Sequence, residues 1–253
     1  MNIGCVSVGG MINNVKTFAS ILMPGVQHMR HTHLPEHKFV SGQPETGGDL
    51  ADDLERIASN FGPENIAACI VEPIAGSTGT LVPPKGYLQR LREICDKHGI
   101  LLIFDEVITG WGRTGSSFAS HEFGVTPDLM TMAKATTNGV VPMGVVACKD
   151  EIYDAVMDAS PMGSVELFHG YTYSGIPVAV AAGLAVQDIF EKEDIFNRAK
   201  NLAPYFQKGL FSLQDLESVE NIRGYGMMGG IDMKMNTKPG KAGYECFKAC
   251  YEA

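Results

Sequence analysis

A chain of 253 residues that is 45% hydrophobic has enough apolar side chains for one large or two medium folded domains and is not disordered. Its net charge of −9, with no Lys/Arg-rich block, argues against nucleic acid and anionic membrane as partners and leaves small-molecule chemistry as the default. The apolar runs fall well short of the ~20 residues a membrane span requires, no basic region leads into an apolar run at the N-terminus, and six cysteines without a C-x-x-C pair read as buried free thiols of a reducing, cytoplasmic setting.

In chain order, Gly47 to Phe61 reads as an amphipathic helix with Leu50, Leu54 and Ile57 at helical spacing. The apolar run Ile66 to Val71 reads as a strand ending at Glu72 and Pro73. After Pro83-Pro84, Tyr87 to Lys97 places Tyr87, Leu88, Leu91, Ile94 and Cys95 on one helical face, and His98-Gly99 stops it. A second strand, Ile100 to Phe104, ends at Asp105, and a third, Leu129 to Ala133, ends at Lys134. A polar turn through Thr137-Asn138-Gly139 leads to a strand over Gly144 to Cys148 and a short helix over Asp150 to Met157. The stretch Gly163 to Gly175, rich in Gly, Ser, Thr and Tyr, precedes a helix over Pro177 to Glu193 with proline in its first turn and has the character of an anion-binding loop. From Asp194 the pattern changes to a helix over Phe196 to Leu213, a glycine-broken strand over Arg223 to Met233 and a helical pattern over Tyr244 to Glu252. Unbroken apolar strands alternating with helices indicate an α/β fold with a mostly parallel sheet and helices on both faces. Residues 1–193 form part of a large domain, and 194–253 begin a smaller α+β one.

Two strands that stop at Asp105 and Lys134 put a carboxylate and an amine at one sheet edge, where open α/β proteins build their sites. That pair suits pyridoxal phosphate: the amine forms a Schiff base and the carboxylate faces the pyridinium nitrogen.

Four segments then carry a resemblance. Val71-Glu72-Pro73-Ile74-Ala75-Gly76, Phe104-Asp105-Glu106-Val107-Ile108-Thr109-Gly110 with Gly112-Arg113-Thr114-Gly115, Pro127-Asp128-Leu129-Met130-Thr131-Met132-Ala133-Lys134 and His169-Gly170-Tyr171-Thr172-Tyr173-Ser174-Gly175 resemble, in this order, the class III, ω-type aminotransferases. The segment Met23 to His31 is most similar to the β-alanine (ω-amino acid):pyruvate branch. The resemblance implies a fold-type-I transferase in which Lys134 holds the cofactor and moves the proton as general base and acid. Asp105 keeps the ring nitrogen protonated, Val107 packs on the ring face, Thr172 reaches the cofactor phosphate of a neighbouring subunit, and Glu72 lies beside the substrate. It also implies a homodimer or homotetramer that moves an amino group from an ω-amino acid or amine to pyruvate in a ping-pong cycle. Arg113 resembles a position that pairs with the sheet edge. The resemblance further implies a fragment lacking an N-terminal part, with its phosphate-cradling turn, and a C-terminal arginine. From that follow an exposed sheet edge and apolar surface, and one rival reading, a non-catalytic remnant unable to hold cofactor; a second rival, a related enzyme such as an aminomutase, would share Lys134 and Asp105.

The chain departs from the family pattern at Ile108, where many relatives carry Gln, at Trp111, usually Phe, and at Thr136, usually Leu. His28, His31, His33 and His37 with Glu36 have spacings a metal accepts, but Pro35 and the absence of any helix or strand pattern leave them a loop. The Cys246 and Cys250 pair and the thirteen methionines read as core packing.

Overall fold

The computed structural model describes residues 3–162, 167, 169–234 and 238–253; residues 163–166 and 168 of the polar loop lie outside them. Helices α1 (Ile3–Val8), α2 (Ile12–Thr17), α3 (Asp53–Phe61), α4 (Tyr87–His98), α5 (Ala119–Phe123), α6 (Asp150–Ala159), α7 (Pro177–Lys192), α8 (Ile195–Phe211) and α9 (Lys241–Glu252) accompany strands β1 (Ala68–Val71), β2 (Leu101–Asp105), β3 (Leu129–Met132), β4 (Val145–Cys148), β5 (Val219–Tyr225) and β6 (Met228–Met233). The first four strands form one sheet in the order β1-β2-β3-β4. The first two pairings are parallel, and β4 runs antiparallel to β3.

Helix α4 shows why this unit holds. Its apolar residues recur at Tyr87, Leu88, Leu91, Ile94 and Cys95, all buried, so one stripe faces inward through three turns. Gly86 and Gly99, at φ +80° and +68°, take the left-handed conformations that bound the helix without a Cβ clash, and Gly99 N–H caps Cys95 O. The stripe packs with Leu50 and Leu54 onto Cys69, Leu102 and Phe104 of the sheet. Leu91, Ile94, Leu102 and Phe104 are completely buried, each contributing about 1.5–3 kcal/mol of apolar transfer energy.

Strand alternation sends Ile70, Leu101, Ile103, Leu129, Val146 and Cys148 to the opposite face. There Ile70 is 41%, Leu101 37% and Val146 65% exposed, so among the described residues α3 and α4 cover one face and the other carries open apolar surface. No helix among the described residues is long and apolar enough to cross a membrane.

The structure corrects several readings. The glycine-broken strand is a hairpin: Gly226 at φ +56° turns the chain, and β5 and β6 pair antiparallel as a separate two-stranded sheet. The helix expected from Gly47 begins as a 3-10 turn over Gly48–Asp52 before α3. Only Cys69 and Cys95 are buried, while Cys5, Cys148, Cys246 and Cys250 are exposed. Met11, Met23 and Met162 also lie at the surface. Cys246, Cys250 and the stacked rings of Phe247 and Tyr251 ride on α9, which buries none of its residues.

Candidate active site

The parallel register sets Asp105 opposite Thr131 at the carboxyl edge of the sheet. Two residues beyond β3 ends, the chain turns through a 3-10 segment, Lys134–Thr136. Lys134 itself has φ +47°. A left-handed backbone under a long side chain costs about 1–2 kcal/mol, so the surrounding hydrogen bonds must impose it. Lys134 O accepts Gly139 N–H at 3.0 Å, and Ala133 O accepts both Thr136 N–H at 3.0 Å and the Thr136 hydroxyl at 3.1 Å. The result is an exposed amine on a rigid turn.

Asp105 is half-buried, and its Oδ1 accepts Val107 N–H at 3.0 Å. Val107 therefore lies in the turn after β2. Glu72, just past β1, accepts Gly76 N–H at 2.9 Å. Burial lifts the Glu72 carboxyl above its ordinary value; the Gly76 N–H opposes the rise, the Asp105 charge adds to it and the Lys134 ammonium lowers it. Glu72, Asp105 and Lys134 stand just at or past the carboxyl ends of the adjacent strands β1, β2 and β3. Thr172 is exposed, in the turn before α7.

A carboxyl whose pKa is raised on folding costs stability increasingly as pH climbs from the ordinary carboxylate value through the raised one. Glu72→Gln, which keeps an oxygen for Gly76 N–H, is expected to stabilise the fold at pH 7–8 by about 1 kcal/mol and to give little gain near pH 4. Thermal melts of the two proteins across that range check it, and a gain independent of pH would sink it.

The sequence reading missed Glu106, and nothing in its spacing marks it out. Its side chain is completely buried. Oε2 accepts the Thr109 hydroxyl at 2.7 Å and Ala119 N–H at 2.8 Å, and Oε1 accepts Ser120 N–H at 2.8 Å. Glu106 thus staples the turn after Asp105 to the start of α5, a buried charge fully met by donors. The Glu72 loop is held from the hairpin side. Arg223 Nε donates to Gly79 O at 2.8 Å, and its two terminal nitrogens clamp Asp232 at 2.5 and 2.8 Å. Gly79 sits at φ +118°, and a Cβ there would meet Arg223 Nη2 at 3.0 Å. Arg113 is exposed, and its backbone carbonyl accepts Met227 N–H at 2.8 Å.

Ile108 packs against the turn of Gly76, where an added Cβ would meet its Cδ1 at 2.6 Å. The other two departures touch each other: Trp111 Nε1 donates to Thr136 Oγ1 at 3.1 Å. His28 and His31 are exposed, and the other two histidines make local contacts. His37 is buried, with Nδ1 accepting Leu34 N–H at 3.2 Å and Nε2 facing Thr46 O at 3.0 Å. His33 meets Asn221 at 3.3 Å. Among the described residues no group of three or more His, Cys, Asp or Glu is arranged to hold a metal ion.

An amine and a carboxylate at adjacent parallel strand ends fit the ring end of pyridoxal phosphate in the chemistry of their donors. The comparisons with known proteins agree with that fit. The family model described as aminotransferase class-III matches residues 2–251. An omega-aminotransferase of Caulobacter vibrioides is 53% identical over 98% of this chain and 57% of its own length. A β-alanine–pyruvate aminotransferase of Pseudomonas aeruginosa is 50% identical over 92% of this chain and 52% of its own length. Among solved structures, a thermostable omega transaminase six-fold mutant from Pseudomonas jessenii superposes with a TM-score of 0.80 at 33% identity, over 92% of this chain and 51% of that one. An (S)-enantioselective omega-transaminase from Thermomicrobium roseum gives 0.69 at 41% identity, over 73% and 40%. The chain spans about half the length of the curated relatives it matches. It is a member of the class III aminotransferases, with the fold-type-I α/β architecture of that family.

Proposed function

We propose that the protein moves an amino group from an ω-amino acid or amine, β-alanine among them, to pyruvate. The observation that carries this reading is the placement of Lys134 and Asp105 at neighbouring parallel strand ends, both acting on Glu72. The names of the relatives at 50–53% identity support the donor and acceptor classes. Pyridoxal phosphate, the cofactor of class III aminotransferases, supplies when bound an aldehyde to receive the amino group and a ring that accepts the electron pair of the C–H bond being broken.

In this reading Lys134 Nζ holds the cofactor and then carries the proton between the two carbons that exchange it. The Asp105 carboxylate faces the ring nitrogen and keeps it protonated, and its hydrogen bond to Val107 N–H fixes its direction. Val107 packs on the ring face, and Glu72 borders the substrate. Residues 1–193 belong to the large domain and 194–253 begin the small one. The reading includes a cytoplasmic homodimer or homotetramer; the exposure of Thr172 supports a role toward a neighbouring subunit.

The test is alanine formation from pyruvate with β-alanine or a simple amine as donor, in the presence of added pyridoxal phosphate. Donor-dependent alanine is the expected result. Cofactor attached at Lys134 without alanine would favour an aminomutase, and no attachment would favour a non-catalytic chain.

A further inference from the structure

Trp111 is the single tryptophan of the chain, and like Lys134 it has a left-handed backbone, at φ +61°. Its ring packs edge-on to Phe118, with centroids 5.1 Å apart, and at 5.7 Å from Phe190 of α7, so the indole is wedged from two sides. Its Nε1–H points to the buried Thr136 hydroxyl at 3.1 Å. An indole N–H can only donate, so the Thr136 oxygen must accept; the one hydroxyl hydrogen is then left for Ala133 O, 3.1 Å away. That carbonyl belongs to the peptide group that ends in Lys134 N. Fixing its plane fixes the torsion by which the chain enters Lys134. The leaving peptide is held separately, by Gly139 N–H on Lys134 O.

We infer that Trp111 is a positioning residue for Lys134, acting through the Thr136 hydroxyl. The relay runs in one direction, indole N–H to hydroxyl to carbonyl, and each link strengthens the next. It sets the aim of Lys134 Nζ without touching it. This deepens the proposed function and rests on Lys134 being the residue that holds pyridoxal phosphate.

The experiment compares the unmodified full chain with Trp111→Phe, Thr136→Val, the double variant and Thr136→Ser. One tryptophan gives one indole N–H signal in a ¹⁵N correlation spectrum of the cofactor-free protein. Thr136→Val should move that signal and speed its exchange with solvent, while Thr136→Ser should not. Pyridoxal phosphate is then titrated and trapped with borohydride, the fraction on Lys134 is read by peptide mass spectrometry, and the pH midpoint of the bound cofactor's visible absorption is measured. Trp111→Phe and Thr136→Val are each expected to weaken capture at Lys134 about 5- to 10-fold and to shift that midpoint. The double variant should be no worse than either single, and Thr136→Ser should behave as unmodified. Unchanged capture and midpoint in the single variants, or losses that multiply in the double, would overturn the inference, as would a capture loss that follows the melting temperature with the midpoint unmoved. Failure of the unmodified chain to label Lys134 would overturn the proposed function and this inference with it. The indole signal, which needs no cofactor, separates that outcome from an absent hydrogen bond.

Discussion

Lys134→Ala is expected to remove the borohydride-trapped pyridoxal phosphate adduct and to lower transamination by roughly four orders of magnitude, because the general base and the covalent anchor vanish together. The fold should survive. Lys134 is exposed, so removing its side chain opens no cavity in the core. Lys134→Arg keeps the cation but not the nucleophile and should be equally inactive, which separates charge from chemistry. The backbone adds a third arm. At φ +47° a residue with a Cβ is strained, so Lys134→Gly should melt above Lys134→Ala by an amount worth about 1 kcal/mol. Peptide mapping of the trapped adduct, with thermal melts of the three variants, checks these expectations. An adduct that persists on other lysines at the level of the unmodified chain would remove Lys134 from its role.

How far the sequence reaches can be judged from particular residues. Glu72, Asp105 and Lys134 were legible because each ends a short apolar run, and a parallel sheet brings all such ends to one edge. The three stand at the ends of adjacent strands β1, β2 and β3. Helix α4 was legible because its stripe is regular and its stops are glycines. What could not be read were contacts made by tertiary folding between turns far apart in sequence. Glu106 sits beside Asp105 in the chain, yet its donors are at Thr109, Ala119 and Ser120. Trp111 and Thr136 stood out one at a time as departures from a pattern, and nothing in their spacing reports the hydrogen bond between them. The hairpin of β5 and β6 was read as a single strand because a two-residue turn at Gly226-Met227 interrupts the alternation too briefly to separate two strands from one with a glycine in it. Cysteines and methionines misled for a simpler reason: composition gives tendency, and only packing decides which copies are covered.

Asp128→Asn is expected to cost about 3 kcal/mol at pH 7, because it breaks an inter-element knot by removing one charge from a buried set. Asp128 begins the approach to β3 and is almost covered. Its Oδ2 accepts Leu102 N–H of β2 at 2.7 Å and Arg92 Nη1 of α4 at 2.8 Å, while its Oδ1 meets Lys149 Nζ, beyond β4, at 2.7 Å. Backbone bonds run through the same residue, from its N–H to Leu102 O at 2.8 Å and from Lys149 N–H to its own carbonyl at 3.0 Å. Helix, two strands and the strand that delivers Lys134 are therefore tied at one carboxylate. Asparagine retains one acceptor oxygen but leaves Lys149 without its counter-charge and the largely buried Arg92 with the exposed Asp96, 2.8 Å away, as its remaining carboxylate. Burial alone would raise the Asp128 carboxyl, but the Lys149 ammonium, the Leu102 N–H and the Arg92 guanidinium outweigh it and hold the group below its ordinary value of 3.8. A carboxyl lowered on folding contributes stability that is complete above the ordinary value and is lost as pH falls through the lowered one. The gap between the unmodified chain and Asp128→Asn should consequently be widest at pH 5–8 and close as pH drops below 3.8. Urea unfolding midpoints at pH 7 and pH 2 read it directly, and thermal melts should differ by roughly 6–12 °C at the higher pH. Equal midpoints at pH 7 would show that the knot contributes nothing, and a gap that stays constant down to pH 2 would assign the loss to shape rather than charge. Because β3 carries the turn of Lys134, the same substitution should also weaken capture of pyridoxal phosphate at pH 7, and by a smaller factor than Thr136→Val, which acts on that turn itself.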